Sequence, residues 1–126
     1  MNVGIIGSGG REHAICLSLK NSSKVNKIYC LPGNAGTYSI SNNINVDINN
    51  FEELKKTILK FNIDVVIIGP EKPLVEGLVD FLQENKIKVF GPNKVASQLE
   101  GSKTFTKNLC KKYNIPTADY KICFDL

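Results

Sequence analysis

The residues best able to do chemistry sit in three short stretches. Gly7-Ser8-Gly9-Gly10-Arg11-Glu12-His13 gathers glycines, a guanidinium, a carboxylate and the sole histidine of the sequence. Glycines let a chain turn sharply, and free amides at the start of a helix hold anions, so this loop reads as a phosphate site. Taken alone it is a weak signal, because doubly wound proteins often carry glycines here merely to make the turn. The dinucleotide fingerprint is incomplete. Glu12 stands where its third glycine would be and should hinder close packing of helix on strand. The next strand ends on Cys30 and Leu31, with no acid for the ribose hydroxyls. NAD is therefore disfavoured.

Pro32-Gly33-Asn34-Ala35-Gly36-Thr37 and Gly69-Pro70-Glu71-Lys72-Pro73-Leu74 each follow an apolar run. Both then lie at the carboxyl ends of strands, the edge where open α/β sheets form their ligand crevices. A plain turn explains either one singly. Glu71, in a loop stiffened by Pro70 and Pro73, is placed to accept hydrogen bonds from sugar hydroxyls or an amine. Glu12 reads as a first-turn acid that complements the helix dipole. His13 reads as a residue that hydrogen-bonds within the loop and orients it, not as a catalytic base, since the positive end of a helix opposes a second positive charge. Cys16, Cys30, Cys110 and Cys123 lie far apart, without a Cys-x-x-Cys pair and with only His13 as an imidazole ligand, so they read as reduced structural thiols.

These loops need a frame. Short β-branched runs alternate with segments of helical period, the pattern of a parallel sheet covered by helices on both faces. Strands are predicted at Val3–Ile6, Lys27–Leu31, Val65–Ile68 and Lys88–Phe90, the third apolar throughout as a central strand should be. A helix is predicted from Arg11 to Asn21 on Ala14, Ile15, Leu17 and Leu19. A second follows Asn50, whose side chain can cap the amides while Glu53 faces back, with Phe51, Leu54, Ile58 and Phe61 as its buried stripe. Leu74, Leu78 and Leu82, flanked by Val75 and Val79, mark a third helix, and Phe105, Leu109 and Tyr113 a fourth. Residues 117–124 read as a last strand. At 126 residues, 42% hydrophobic and 22% charged, the chain has the composition of one ordinary globular domain.

A formal charge of +4 invites a nucleic-acid reading, but the lysines are interleaved with acids in pairs such as Glu53/Lys56 and Glu84/Lys88. No basic stripe with interleaved aromatics appears, so nucleic acid is not an expected partner. The apolar run at Val3–Ile6 is far too short for a signal core or a membrane span, so no membrane is expected and a cytoplasmic setting is.

Together the stretches resemble the phosphoribosylamine-glycine ligase family of the ATP-grasp superfamily. The amino-terminal domain of that family carries Gly-x-Gly-Gly-Arg-Glu-His-Ala, here Gly7 to Ala14, with Ser8 where Asn is more usual. Pro32 to Thr37, Gly69-Pro70-Glu71-x-Pro73-Leu74-Val75, Phe90-Gly91-Pro92 and Leu99-Glu100-Gly101-Ser102-Lys103-x-Phe105-Thr106-Lys107 look like its other segments at its spacings. The resemblance implies a Rossmann-like pre-ATP-grasp domain over 1–116, with 117–126 the start of a following ATP-grasp domain. It implies an enzyme that uses ATP to phosphorylate the carboxylate of glycine, after which the amine of 5-phosphoribosylamine attacks the glycyl phosphate. The products would be glycinamide ribonucleotide, ADP and phosphate. Magnesium, or manganese, would accompany the ATP. The ATP-grasp and carboxyl-terminal domains would be this domain's partners and hold the metal and most nucleotide contacts. They are missing from the chain, which alone should be inactive.

By the same resemblance Gly9, Gly10 and Arg11 are assigned to phosphoribosylamine, with Asn34, Gly36 and Thr37 in the same pocket and Glu71 as an acceptor at its floor. Lys103 is assigned to the ATP phosphates, and no catalytic or metal-ligating residue is expected within the chain. Three other readings stay open: an ATP-grasp ligase with another acceptor, a nucleotide-binding module without chemistry, and a fragment that serves only as a docking surface.

Overall fold

The computed structural model describes residues 1–121 and Cys123. In chain order the elements are β1 Asn2–Gly7, α1 Gly10–Lys20, β2 Lys27–Pro32, a 3-10 turn Thr37–Ser39, β3 Asn42–Asn43 and α2 Phe51–Lys60. Then follow β4 Val65–Ile68, α3 Glu71–Glu76, α4 Leu78–Glu84, β5 Val89–Phe90, α5 Lys94–Gly101 and α6 Lys103–Lys112. The strands form one parallel sheet in the order β3-β2-β1-β4-β5. The winding direction reverses at β1, which pairs with β2 on one side and β4 on the other, so the loops leaving β1 and β4 diverge and open a crevice at their carboxyl ends.

Side chains of a strand alternate between faces, and each face has its own core. On one, Val3, Ile5, Ile28 and Cys30 pack with Cys16 of α1. On the other, Ile6, Leu31, Val66 and Ile68 meet Leu54 and Ile58 of α2, Leu74 of α3 and Leu78, Val79 and Leu82 of α4. Helices therefore cover both faces, as the alternating pattern predicts. Helix α2 follows the expected logic closely: Asn50 Oδ1 accepts from the Glu53 amide at 3.1 Å, and the Asn50 amide group donates to Glu53 Oε2 at 3.3 Å. Leu54 and Ile58 are buried, with Phe51 and Phe61 packed at the margin of the same core.

Several expectations are corrected. The predicted third helix is two, because Gly77 adopts φ +99° and ends α3 before α4 begins. Helix α1 turns Glu12 and Cys16 inward, packs Ile15 and Leu19 at the margin of the core and leaves Ala14 and Leu17 exposed, so only part of the expected apolar face is buried. Helix α5, capped by Asn93 accepting from the Ala96 amide at 2.9 Å, was not anticipated, nor was the short β3. The fourth helix forms but buries no residue, and Phe105 and Tyr113 are exposed. The expected strand at 117–124 does not form over 117–121, and residues 122 and 124 lie outside the described residues. Instead Thr117 and Ala118 lie beside α6, each accepting from Lys107 Nζ at 2.7 Å. No helix among the described residues is long and apolar enough to cross a membrane.

Candidate functional site

The crevice at the carboxyl ends of β1 and β4 is built around two glutamates and one arginine. Arg11, in the first turn of α1, reaches across to the loop after β4. Its Nη1 donates to the Gly69 carbonyl and its Nη2 to Glu71 Oε1 at 2.6 Å. Half of the Arg11 side chain stays exposed, as does a comparable share of Glu71. Chiefly through this hydrogen bond, the guanidinium's affinity for its proton rises further and the Glu71 carboxyl is held below the usual carboxylate range. A guanidinium with donors pinned on a carbonyl and a carboxylate fixes the distance between two loops that the sequence separates by 60 residues.

Glu12 sits behind this pair and is only 4% exposed. Its Oε2 accepts from the Gly9 amide at 2.5 Å, the reciprocal half of a capping box. The carboxylate fits because the neighbouring strand ends lack side chains. A Cβ on Gly7 would stand 2.7 Å from Glu12 Cδ, and one on Gly69 would stand 2.6 Å from the same atom. Gly7 also needs its φ of +125°, a conformation open to glycine. The expectation that Glu12 would hinder helix–strand packing is thus corrected: glycines on β1 and after β4 vacate the space it fills. The reading of Glu12 as an acid that merely complements the dipole is incomplete, since that role needs no burial.

Residues 7–12, Ile48, Pro70 and Glu71 line a cavity of about 380 Å³. The structure thereby brings Gly9, Gly10, Arg11 and Glu71 together. One consequence bears on the phosphate expectation. The Gly9 amide already serves Glu12, so it is not free to cradle an anion, and the amides of Gly10, Arg11 and Glu12 are those left in the helix's first turn.

Asn34, Gly36 and Thr37 flank the cavity without lining it. Asn34 Nδ2 donates to the carbonyls of Ser8 at 2.8 Å and Gly9 at 3.2 Å, and its Oδ1 accepts from the Thr37 amide at 3.0 Å. Thr37 is fully buried, and its hydroxyl accepts from the Asn34 amide at 2.8 Å while its single proton faces the Asn34 carbonyl and Asn43 Oδ1, both at 2.9 Å. These residues hold the glycine loop in place, and Thr37 has no free polar atom to offer a ligand. His13 packs its ring against Gly36. The ring makes no hydrogen bond among the described residues, so it meets the loop by contact and not, as expected, by hydrogen bonding, while the His13 backbone amide donates to the Gly9 carbonyl at 3.2 Å.

Lys103 lies elsewhere, exposed in the first turn of α6 beside a groove shared with Thr104, Lys107 and Tyr120. A larger open space of about 910 Å³ separates α6 from residues 115–121, away from the carboxyl edge of the sheet, and gathers none of the assigned residues. No group of three His, Cys, Asp or Glu that could hold a metal occurs among the described residues. Cys16 and Cys30 are buried, and burial raises both thiols, that of Cys30 to about 12, so both stay protonated at neutral pH. Sequence reasoning missed Glu12 and Ile48 as lining residues. The glycines at 7 and 69 are the signal for Glu12, but nothing in one sequence pairs them.

With this geometry in hand, known proteins are informative. Residues 1–100 match the family model described as phosphoribosylglycinamide synthetase, N domain. Phosphoribosylamine–glycine ligases of Caldanaerobacter subterraneus subsp. tengcongensis and Clostridium acetobutylicum are each 48% identical, over 96% and 97% of this chain. In both cases the match spans 29% of the relative's own length. The crystal structure of the Thermotoga maritima phosphoribosylamine–glycine ligase superposes with a TM-score of 0.65 at 34% identity, over 94% of this chain and 26% of that one. An N5-carboxyaminoimidazole ribonucleotide synthetase from Thermus thermophilus superposes with a TM-score of 0.70 over 91% of this chain and 31% of its own. At 16% identity it shares the fold alone.

Proposed function

The chain belongs to the phosphoribosylglycinamide synthetase N-domain family, and from that premise we propose that it supplies the 5-phosphoribosylamine side of an ATP-dependent ligase. That ligase joins glycine to the amine, by way of glycyl phosphate, in purine biosynthesis. The observation that carries this reading is the Arg11–Glu71 bridge across the cavity, at the strand edge where ligands of open α/β sheets bind. A ribosyl phosphate offers hydroxyl and amine donors at one end and an anion at the other. Glu71, held ionised by Arg11, accepts from the donors, while the exposed part of Arg11 and the first-turn amides face the anion. Asn34 and Thr37 act through the loop they brace. Ligation itself depends on positioning the amine and excluding water, and this domain contributes one wall of that enclosure.

ATP belongs to the reading through Lys103, an exposed cation with no carboxylate partner among the described residues, which suits a phosphate contact. Magnesium does not fit the described residues. Their two cavity carboxylates each have an oxygen engaged, Glu71 by Arg11 and Glu12 by the Gly9 amide, and no third ligand joins them. The metal and most nucleotide contacts therefore fall to an ATP-grasp domain, in our division beginning after residue 116. A cytoplasmic setting agrees with four free cysteines, two of them buried.

The test titrates ribose 5-phosphate, a stable analogue, into the isotope-labelled chain and follows amide resonances. Shifts at residues 9–11 and 71, together with no ADP release on addition of glycine, ATP and magnesium, are expected. Shifts produced only by NAD would move the chain to the non-catalytic nucleotide-binding reading. Glycine-dependent ADP release by the chain alone would overturn the division of labour.

A further inference from the structure

Resting on the reading of the cavity as one wall of the amine-substrate site, we propose that Glu12 is a second acceptor for that substrate and sets which end of it enters. The capping box accounts for one oxygen, Oε2, on the Gly9 amide. Oε1 takes no donor among the described residues, although the residue is 4% exposed. Among the described residues no fully enclosed side-chain oxygen or nitrogen lacks a partner, so Oε1, which lies against Gly69 at the end of β4, is not sealed in, and Glu12 lines the cavity. A carboxylate can accept about four hydrogen bonds, and burying one with a single bond made is unfavourable unless something else completes its shell.

A purely local role does not explain the burial. A capping box asks only that the acid reach back to the N-cap amide, which does not require the acid to be buried. Here Gly7 and Gly69 both give way to bring this carboxylate to the ends of β1 and β4. Its charge is only partly matched, by the more distant attraction of Arg11. Among the described residues Arg11 is the one cation lining the cavity, and its fork is engaged by the Gly69 carbonyl and Glu71. The deep end of the cavity is therefore negative, favours an amine or hydroxyl donor, and repels a phosphate. The substrate enters amine and ribose first, its phosphate toward the mouth.

The experiment compares the wild-type chain with Glu12→Gln and Glu71→Gln. Glutamine at 12 can keep the Gly9 bond through its carbonyl but points a donor into the cavity. We expect Glu12→Gln to retain the folded amide spectrum while affinity for ribose 5-phosphate falls about tenfold, the scale of one charge-assisted hydrogen bond. Unchanged affinity in Glu12→Gln, with weakened binding in Glu71→Gln, would overturn this proposal and leave the cavity reading standing. Absence of cavity shifts in the wild-type chain would overturn both. Should Glu12→Gln fail to fold, the carboxyl carbon resonance of Glu12 in the wild-type chain decides. It should move with ribose 5-phosphate and stay put with inorganic phosphate alone, and no movement with the sugar phosphate would refute the contact.

Discussion

Two glutamates reach one cavity from neighbouring strand ends, and they are held in opposite ways. Glu12 is buried, seated in space left by glycines, and bonded to a backbone amide of its own loop. Glu71 is half exposed and bridged by Arg11 from the other loop. The first is fixed by packing, which tolerates little change in volume. The second is fixed by an ion pair between exposed groups, which contributes little to stability and can exchange partners. A substrate can compete for Glu71 far more easily than it can displace Glu12. The contrast teaches that the same side chain in the same crevice is a piece of the wall in one case and a movable contact in the other.

The contrast breaks most visibly if Gly69 is filled. Gly69→Ala places a methyl group against the Glu12 carboxylate and is expected to destabilise the fold by about 1–3 kcal/mol, the usual penalty for overpacking. Urea unfolding of Gly69→Ala, Glu12→Ala and the double variant measures the coupling. If the alanine at 69 is as damaging without Glu12 as with it, the seat is wrongly identified. Next comes the brace. Asn34→Asp removes the amide donors to the Ser8 and Gly9 carbonyls and should lower stability by about 1 kcal/mol. A variant as stable as wild type would show that the glycine loop holds itself.

Glu71→Gln sharpens the other half. Its melting temperature should match wild type, while affinity for ribose 5-phosphate falls about tenfold. A marked loss of stability would make Glu71 structural as well. Smallest of all is the pH response. The folded carboxyl of Glu71 titrates below its ordinary range because Arg11 donates to it, so whatever the pair adds to stability is present above that range and lost as pH falls through the lowered value. Carboxyl carbon shifts of Glu71 followed downward from neutral pH should hold steady past the ordinary glutamate midpoint, and Arg11→Gln should move the titration back toward that midpoint.

Much of this arrangement was legible in the sequence, for physical reasons that differ by residue. Val65–Ile68 announced a central strand because apolar residues without alternation suit burial on both faces. Asn50 announced a helix start because capping is local chemistry. Glu71 and Arg11 could be placed at one sheet edge because both follow strands, while their assignment to one pocket came from the family resemblance. Glu12 could not be read as buried, since its seat depends on Gly69, distant in sequence, and a first-turn acid is more often at the surface. Asn34 and Thr37 have ligand-binding side chains, but their bonds run to each other and to the loop, a closure visible only in three dimensions. The periodicity of Phe105, Leu109 and Tyr113 gave a helix without a surface to bury it on, because period specifies a face and not its partner.

The sheet's margins have a consequence of another kind. Both outermost strands, β3 and β5, are two residues long. A long bare edge offers a row of unpaired amides and carbonyls on which a second chain can polymerise, and short edges remove that template. Self-assembly by lateral strand addition is thus disfavoured at either rim. A neighbour that docks on helices or loops leaves the order of the five strands, and with it the frame that holds the two glutamates, as it is.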